Sequence, residues 1–364
     1  FLLKLKPLHD EFATFFSFWC SDSTTEILST NLYTIICQNL NSLGLYTQIF
    51  LENKSLNKAD FILAGPISSI QGRGLAVAAD KLQIPIATFH HGLTHEFSNY
   101  TEIQRARYDS SLSNLTFVHN EEAKRVLERN PYKHAKIVPV GLPKRYHRVS
   151  NSSKINARNN EILYLSTNVR SGNTGAFVHK FQTDYDFDKC ERDFVVRVLG
   201  NLPHCVTFKP YPEERRRYTE KTLAEDVVQS LKNVEVIENK CDARFLLDRF
   251  SVFVSSGATS TLGWLLCTQK PLVYLHWPNH MPLLDSLIDE FKIGTFFFDS
   301  RSLSFERDLK NFLSSDIREI EQLWETKRSG RDLLYSRYVQ PYAKSSGELV
   351  SDWMAIFLRD WKEK

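Results

Sequence analysis

The chain has 364 residues, of which 42% are hydrophobic and 24% are charged, and its formal net charge is +3. This length predicts two globular domains, and the small net charge argues against a dedicated nucleic-acid binder while allowing local basic patches. No apolar run reaches the roughly 18 residues of a membrane span, and no signal-peptide pattern is present.

Six cysteines are scattered along the chain without a Cys-x-x-Cys pair. Several lie in apolar runs, so we expect reduced core thiols in a cytoplasmic protein. The chain begins at Phe1 rather than methionine, which suggests one domain of a longer protein and leaves membrane anchoring by a missing part open.

Short strands alternate with helices through most of the first 150 residues. The aromatic-rich N-terminus up to residue 26 predicts an irregular piece of strand and loop, and a helix is predicted over residues 27–43, ending at Gly44. The pattern predicts strands at residues 46–51, 59–64, 84–89, 115–118 and 137–140, and helices at residues 74–82 and 121–129. This alternation predicts a parallel α/β sheet.

A polar stretch at residues 149–160 is the best candidate linker, and the alternation restarts after it. The pattern then predicts strands at residues 161–165, 205–208, 234–237, 251–254, 272–275 and 294–298, and helices at residues 188–199, 243–250, 262–267, 283–291 and from about 305 onward. We predict an α/β protein with two Rossmann-like domains, residues 1–150 and 151–335, facing a cleft, and a helical tail at residues 336–364.

A turn rich in hydroxyl groups separates the strand at 251–254 from the helix at 262–267. Its chemistry-bearing positions are Ser255, Ser256, Gly257, Thr259, Ser260 and Thr261. Free N–H groups and the positive end of the helix dipole make such a helix start a site for an anion, and a nucleotide phosphate is the expected guest. An ordinary crossover with a capped helix is the alternative interpretation.

Three histidines and a glutamate follow the strand at 84–89, where active sites of open α/β sheets collect. His91, brought close to a ligand by Gly92, or Glu96 is the candidate catalytic base, and His90 and His95 are candidate acceptor or donor contacts. The spacing fits no standard metal-ligand pattern, so no metal is predicted. The alternative interpretation is that these histidines only form hydrogen bonds within their own loop and have no role in catalysis or binding.

Polar loops follow two other strands. Lys209 is placed to meet a donor phosphate, and Pro212 stiffens the same loop. Ser166 and Asn168 are candidate contacts to the donor phosphate or sugar, and an exposed loop without a binding role is the alternative interpretation.

Two further basic positions, Arg170 and His276, are candidate contacts to donor or acceptor. The chain contains no GxGxxG, GxxxxGK[ST] or GxSxG motif, which disfavours a standard NAD site, a P-loop and an α/β hydrolase.

The order of four motifs resembles that of bacterial surface-polysaccharide glycosyltransferases of GT-B type. These motifs are HHG at 90–92, VGLPKRY at 140–146, TFKPYP at 207–212 and FSVFVSSGATSTLGWLLCTQKPLVYL at 250–275. Residues 187–212 and 323–338 look more like the transferases that use CMP-Kdo or related CMP-ulosonic acids than like the CDP-glycerol glycerophosphotransferases.

This resemblance implies that His91 acts as the base, that Lys209 and Pro212 hold the nucleotide, and that the hydroxyl-rich turn binds phosphate. Tyr211 stands where the family motif usually has histidine. No aspartate nucleophile is found after the strand at 84–89, where Glu96 is the nearest carboxylate, so the stereochemical outcome stays open.

The resemblance implies a glycosyltransferase that moves Kdo or a related sugar from a CMP-activated donor to lipopolysaccharide or capsule. The alternatives are a CDP-glycerol-type polyol-phosphate transferase and an inactive GT-B module that binds a glycan or serves as a scaffold. The expected partners are a nucleotide-sugar donor and an oligosaccharide or lipid-linked acceptor, with no nucleic acid and no cofactor besides the donor. The expected location is the cytoplasm, at the inner face of the membrane if missing regions provide peripheral association.

Overall fold

The computed structural model describes residues 6–99, 105–106, 109–152, 162–167, 169, 183–211, 222–237 and 242–363. The strands are β1 (Ile62–Ala64), β2 (Ile86–Phe89), β3 (Leu115–Val118), β4 (Lys136–Pro139), β5 (Ile162–Leu165), β6 (Val206–Lys209), β7 (Val234–Val236), β8 (Val252–Ser255), β9 (Leu272–His276) and β10 (Phe296–Asp299).

Thirteen helices surround these strands in the described part of the chain. They are α1 (Lys6–Ser17), α2 (Asp22–Leu51), α3 (Ile70–Lys81), α4 (Glu121–Glu128), α5 (Lys144–Ser152), α6 (Asp184–Arg197), α7 (Leu223–Val228), α8 (Ser260–Thr268), α9 (Ile288–Gly294), α10 (Phe305–Leu313), α11 (Ile317–Thr326), α12 (Arg328–Tyr338) and α13 (Ser346–Lys362). Single 3₁₀ turns lie at Leu56–Lys58, Leu199–Asn201, Ala243–Phe245 and Asp285–Leu287.

Side-chain caps fix where several helices begin. Ser69, Asn120 and Thr183 each accept a hydrogen bond from a backbone N–H in the first turn of the helix that follows. Thr222 and Ser345 go further and form reciprocal capping boxes with the glutamate three residues on. These caps satisfy N–H groups that a helix start leaves without an intrahelical partner.

The first sheet is parallel throughout, in the order β1-β2-β3-β4. One of its faces packs Ala87, Leu115 and Phe117 against α13, whose Met354 is buried there. The predicted helical tail therefore contributes α13 to the core of the first domain, because the chain crosses back to it after completing the second.

The second sheet is also parallel, in the order β10-β9-β8-β5-β6-β7. Its central strands are fully buried, as expected of a sheet with helices on both faces, and this explains their continuous apolar runs. The order is that of a doubly wound nucleotide-binding sheet, and it reverses direction between β5 and β8. The predicted pair of α/β domains is confirmed.

The predicted helix at residues 27–43 is confirmed as the middle of α2, but the predictions on either side of it were wrong. In place of strand and loop up to residue 26, α1 and the start of α2 form a helical hairpin, and α2 continues through the predicted strand at 46–51. Gly44 does not end the helix, which continues to Leu51. The apolar residues of this stretch have helical spacing, so that Tyr46 and Thr47 pack against Gly74 of α3.

The predicted helix at residues 243–250 is reduced to the single turn Ala243–Phe245. The ammonium of Lys270 donates hydrogen bonds to the carbonyls of Leu247 and Phe250, at 2.9 and 2.7 Å, in the irregular segment that follows this turn. The expected core location of the cysteines holds only for Cys267 among the five described, none of which forms a disulfide.

No helix among the described residues has both the length and the apolarity needed to cross a membrane.

Candidate functional site

Three loops leave the second sheet at the same level. Leu165 at the end of β5 pairs with Lys209 of β6 on one side and with Ser255 of β8 on the other. The gap between β5 and β8 is the point at which the strand order reverses, and open α/β sheets bind ligands outside the carboxyl ends of the strands at such a point. The sequence-predicted positions Ser166, Ser255 and Ser256 therefore lie at the expected place.

The hydroxyl-rich turn connects β8 to α8. Ser255, Ser256 and Gly257 are buried, whereas the remaining three positions, Thr259, Ser260 and Thr261, are partly exposed. Thr259 occupies the N-cap position of α8 in an extended conformation, with φ −121°. Among the described residues, its side chain makes no hydrogen bond to the helix. The start of α8, like those of α2, α9, α10 and α12, has no side-chain cap in the part of the chain that the structure describes, and its N–H groups at the positive end of the helix dipole suit an external anion.

The loop after β5 lies against this turn. A Cβ added at Gly257 would be 3.4 Å from Oγ1 of Thr167, and the Thr167 hydroxyl also contacts the sulfur of Met281 at 3.1 Å. The structure therefore brings together two of the predicted loops. Asn168 and Arg170 of the same loop, and Pro212 of the loop after β6, lie outside the described residues.

The HHG turn of the first domain also reaches this helix start. Gly92 has φ +134°, and a Cβ added to it would be 2.8 Å from Cβ of Ser260. A glycine is needed here both for its backbone conformation and for this close approach. Two motifs that are far apart in the sequence are thus in contact across the two domains.

The segment after Gly92 is built into the second domain. Leu93 and Phe97 are fully buried in the core cluster of the second sheet. The backbone N–H of Asn99 donates to the Pro282 carbonyl at 2.9 Å, and the N–H of Leu284 donates to the Phe97 carbonyl at 2.7 Å. These contacts hold the HHG turn against α8.

Only one histidine of the HHG segment has an exposed side chain, and it is His91. His90 and His95 are buried and stacked, with ring centroids 4.6 Å apart. His119, directly after β3, also stacks on His90, with ring centroids 5.4 Å apart. Burial lowers the pKa of His90 well below its usual value and that of His119 to about 4, so both rings are neutral near pH 7. Their burial assigns His90 and His95 to the support of the turn rather than to its open side.

Asp109 is the buried partner of this stack, and no local sequence pattern marks it. Its Oδ2 lies 3.3 Å from Nε2 of His95, and potential ligand atoms of His90, His95 and Asp109 lie within 4.8 Å of one another. The His90 and His95 rings are only 17° from parallel. Because the lone pair of an imidazole nitrogen lies in the ring plane, two nearly parallel rings do not converge on one ion. The arrangement favours an aromatic stack, held by the contact of His95 with Asp109, over a metal centre.

Glu96, the other candidate base, is enclosed between the two domains with 1% of its surface exposed. Its Oε1 accepts a hydrogen bond at 2.9 Å from Asn120, which also donates to the Tyr338 carbonyl. Burial raises the pKa of Glu96 to about 7. The carboxyl group has the acidity of a general base but no exposed surface in this conformation, whereas His91 is exposed.

A second buried carboxyl group, Glu191 of α6, lies beneath the donor-side loops and was not singled out from the sequence. It accepts hydrogen bonds from the Tyr164 hydroxyl at 2.6 Å and from Ser166 at 3.1 Å. Burial raises its pKa to about 7. Glu191 thus anchors the first residue of the loop after β5. In the sequence, Glu191 lies at helical spacing from two other acidic residues, Asp184 and Asp188. Exposed helices show the same pattern, so the pattern alone does not single out Glu191.

Lys209 and His276 end their strands at the predicted edge, but both side chains are buried. The Lys209 ammonium donates to the Pro210 carbonyl at 2.9 Å. Burial lowers the pKa of His276, whose ring lies 5.4 Å from that of Phe297. A direct contact of either residue with a ligand stays a prediction.

An aromatic pair joins the VGLPKRY motif to α8. Tyr146 and Trp264 stack face to face with centroids 3.6 Å apart and planes 8° from parallel. Both rings are nearly completely buried. This stack is a second contact, beside that of Gly92, between the first domain and the helix that begins at Ser260.

No protein-family model matches the chain, and no curated protein matches it. Several solved structures are similar to the chain. A co-structure of S. aureus MnaA with UDP is similar with a TM-score of 0.50 at 14% identity, covering 88% of this chain and 79% of that one. A UDP-GlcNAc 2-epimerase of Methanocaldococcus jannaschii gives 0.48 at 16% identity, covering 82% and 81%, and MurG of Acinetobacter baumannii gives 0.43 at 12%, covering 88% and 79%.

At these identities the likeness to MnaA shows the fold alone. Together with the strand orders of the two parallel sheets, it confirms the predicted two-domain architecture of GT-B type.

Proposed function

We propose that the protein is a glycosyltransferase that uses a nucleotide-activated sugar. The observation that carries the proposal is the contact between Gly92 of the HHG turn and Ser260 at the start of α8, beside the switch point of the second sheet. This contact sets a candidate base from one domain beside a candidate phosphate site of the other, as transfer between a bound donor and an acceptor requires.

The donor phosphate is assigned to the start of α8. Partly exposed hydroxyl groups of Thr259, Ser260 and Thr261 surround N–H groups at the positive end of the helix dipole. These groups stabilise the negative charge that develops on the leaving phosphate when its bond to the anomeric carbon breaks.

The acceptor is assigned to the side of the first domain. His91, exposed next to Gly92, takes the proton of the acceptor hydroxyl while the hydroxyl oxygen bonds to the anomeric carbon. The electrons of the broken bond leave with the nucleotide phosphate, so charge and atoms balance without a further reactant. Asp109 and the histidine stack hold the turn that carries His91.

The donor nucleotide is proposed to be a pyrimidine nucleotide. The motif resemblance implies a CMP-linked ulosonic acid such as Kdo, with a bacterial surface glycan as acceptor. The similar MnaA structure holds UDP. A pyrimidine base is common to both, and the phosphate site on α8 serves a monophosphate or a diphosphate.

A thermal-shift screen with CMP, CDP, UDP and GDP tests the proposal. At a ligand concentration about 100 times Kd, binding to the folded state adds about 2.7 kcal/mol of stability, which is readily detected. We expect at least one pyrimidine nucleotide to raise Tm and GDP to have little effect. Absence of any shift with all four nucleotides would favour an inactive module over an enzyme.

Ser260→Ala is the matching variant, with Ser230→Ala as its control because Ser230 is an exposed serine outside the site. We expect weaker nucleotide binding in the first variant only. Equal affinities in the two would remove the α8 start from the proposal.

A further inference from the structure

Glu191 is a buried carboxyl group that the proposed mechanism does not use. It lies on α6 with 0% of its surface exposed. Both of its oxygens are occupied by residues at the end of β5, because Oε1 accepts a hydrogen bond from the Tyr164 hydroxyl at 2.6 Å and Oε2 accepts one from Ser166 at 3.1 Å. One enclosed carboxyl group therefore holds the strand and the first residue of the loop that leaves it.

The surroundings of Glu191 disfavour its charged form. Burial, together with the negative charges of Asp188 on the same helix and Glu225 on α7, raises the pKa of Glu191 to about 7. On the sheet side lies Tyr164, which stays protonated because burial raises its own pKa well above the usual value. Lys209 ends the neighbouring strand β6, and its ammonium donates to a backbone carbonyl. Both forms of Glu191 are therefore populated near neutral pH.

The Ser166 hydroxyl has a single hydrogen to donate, and the state of Glu191 decides where that hydrogen points. An ionised carboxylate can only accept, so it holds the Ser166 hydrogen at Oε2. A protonated carboxyl group donates from Oε2 instead, because Oε1 already accepts the shorter bond from Tyr164. The Ser166 oxygen then accepts, and its own hydrogen turns to another acceptor. Inside the protein this acceptor is the Thr167 carbonyl, at 3.3 Å.

Ser166 borders the place to which the donor phosphate is assigned. It begins the loop after β5, and the next residue, Thr167, lies against Gly257 of the hydroxyl-rich turn. The Ser166 side chain is half-buried, whereas Glu191 is enclosed behind it. A phosphate oxygen is a stronger acceptor than a backbone carbonyl at 3.3 Å. A bound phosphate therefore favours the arrangement in which the Ser166 hydrogen points outward, and that arrangement requires a proton on Glu191.

We propose that Glu191 is a positioning residue of the donor site and couples nucleotide binding to the uptake of one proton. The proton comes from solvent and is held on Oε2 of Glu191, which donates it in a hydrogen bond to Ser166. Ser166 in turn donates its hydrogen to a phosphate oxygen of the nucleotide. This inference rests on the proposed nucleotide site at the start of α8, and it adds a proton-linked control of the affinity of that site.

The acidity of Glu191 sets the size of the expected effect. With a pKa of about 7, about three quarters of the free protein carries the proton at pH 6.5 and about 3% carries it at pH 8.5. If only the protonated form binds, the apparent Kd rises in inverse proportion to this fraction, by about 25-fold over the range. Affinity for the nucleotide therefore falls as pH rises.

Calorimetric titration with UDP or CMP, whichever gives the larger thermal shift, tests the coupling at pH 6.5 and pH 8.5. Glu191→Gln is the matching variant, because its amide oxygen accepts from Tyr164 while its NH₂ group donates to Ser166 without titrating. We expect the wild-type Kd to rise between the two pH values at least fivefold more than the Kd of this variant. Ionisation of the nucleotide phosphate is common to both proteins and cancels in the ratio.

Glu235→Gln is the control, because Glu235 is an exposed glutamate on β7 of the same domain. It should keep the pH dependence of the wild type. Circular dichroism and Tm show that the variants fold. A purely structural role of Glu191 would change Tm but would leave the ratio of the Kd values at the two pH values unchanged.

Ser166→Ala tests whether the coupling passes through the hydroxyl group. We expect weaker nucleotide binding in this variant, with a pH dependence as small as that of Glu191→Gln. Full pH dependence in Ser166→Ala would overturn the proposal, since it would show that the charge of Glu191 acts on the phosphate directly. A difference of less than fivefold between wild type and Glu191→Gln would overturn it as well. Failure of the wild type to bind any nucleotide at either pH would instead refute the proposed function, and this inference with it.

Discussion

Replacing Gly92 by alanine perturbs the contact on which the proposed site depends. At φ +134° an L-residue is strained by about 1–3 kcal/mol, and the new Cβ would lie 2.8 Å from Cβ of Ser260. Relieving such an overlap in a packed region costs about a further 1–3 kcal/mol. We therefore expect Gly92→Ala to lower the free energy of unfolding by about 2–6 kcal/mol, or to move the HHG turn away from α8.

Urea denaturation followed by tryptophan fluorescence measures the first outcome, and calorimetric titration with the nucleotide found in the screen measures the second. Gly44→Ala is the control, since its added Cβ meets nothing within 4 Å. In the middle of α2 it should instead stabilise the protein by about 0.5–1 kcal/mol. Wild-type stability together with wild-type nucleotide affinity in Gly92→Ala would refute the contact.

Three other predictions follow from the site. Trp264→Ala removes the stack on Tyr146 and should destabilise the protein by about 3–5 kcal/mol in the same denaturation assay. The pKa of Glu96 is raised in the folded state from 4.5 to about 7, so the folded state binds the extra proton and this group's contribution to stability falls as pH rises from about 4.5 to 7. Glu96→Gln should therefore be more stable than wild type by on the order of 3 kcal/mol at pH 8, and should differ little from wild type at pH 4.5. An equal gain in the free energy of unfolding at both pH values would contradict burial of the charged carboxylate as the cause. His91→Ala should reduce kcat at least about 100-fold while nucleotide affinity stays within about twofold, and loss of affinity instead would place His91 in the donor site.

Much of the site could be predicted because its parts are local in sequence. The strand, turn and helix around Ser256 lie in one continuous stretch of sequence. The HHG turn likewise follows directly after its strand. Since carboxyl ends of parallel strands meet at one edge, their convergence follows once the strands are recognised.

The residues that complete the site could not be predicted, because their partners are distant in the chain. Nothing local marks Asp109 as the partner of His95, or Trp264 as the partner of Tyr146. Likewise, a row of histidines does not reveal that His91 is exposed whereas His90 is enclosed. Exposure here is decided by the insertion of Leu93 into the core of the other domain.

The helical structure on either side of residues 27–43, which were predicted correctly, was missed for a different physical reason. Its residues have strong β-branched and aromatic content, which favours strands in isolation. Helical spacing against α3 overrides that preference, and α2 continues past Gly44 to Leu51. Residues 243–250 form only one helical turn, and the carbonyls of Leu247, Asp248 and Phe250 accept hydrogen bonds from Lys270, a contact that the local pattern does not reveal.

The central claim is that a nucleotide phosphate binds where the HHG turn meets the start of α8. A crystal structure of the protein soaked or grown with UDP or CMP tests this most directly. The account predicts phosphate oxygens within hydrogen-bond distance of the backbone N–H groups at Ser260 and Thr261, with the His91 ring on the facing side. A nucleotide bound elsewhere, with the α8 start closed to it, would contradict the account.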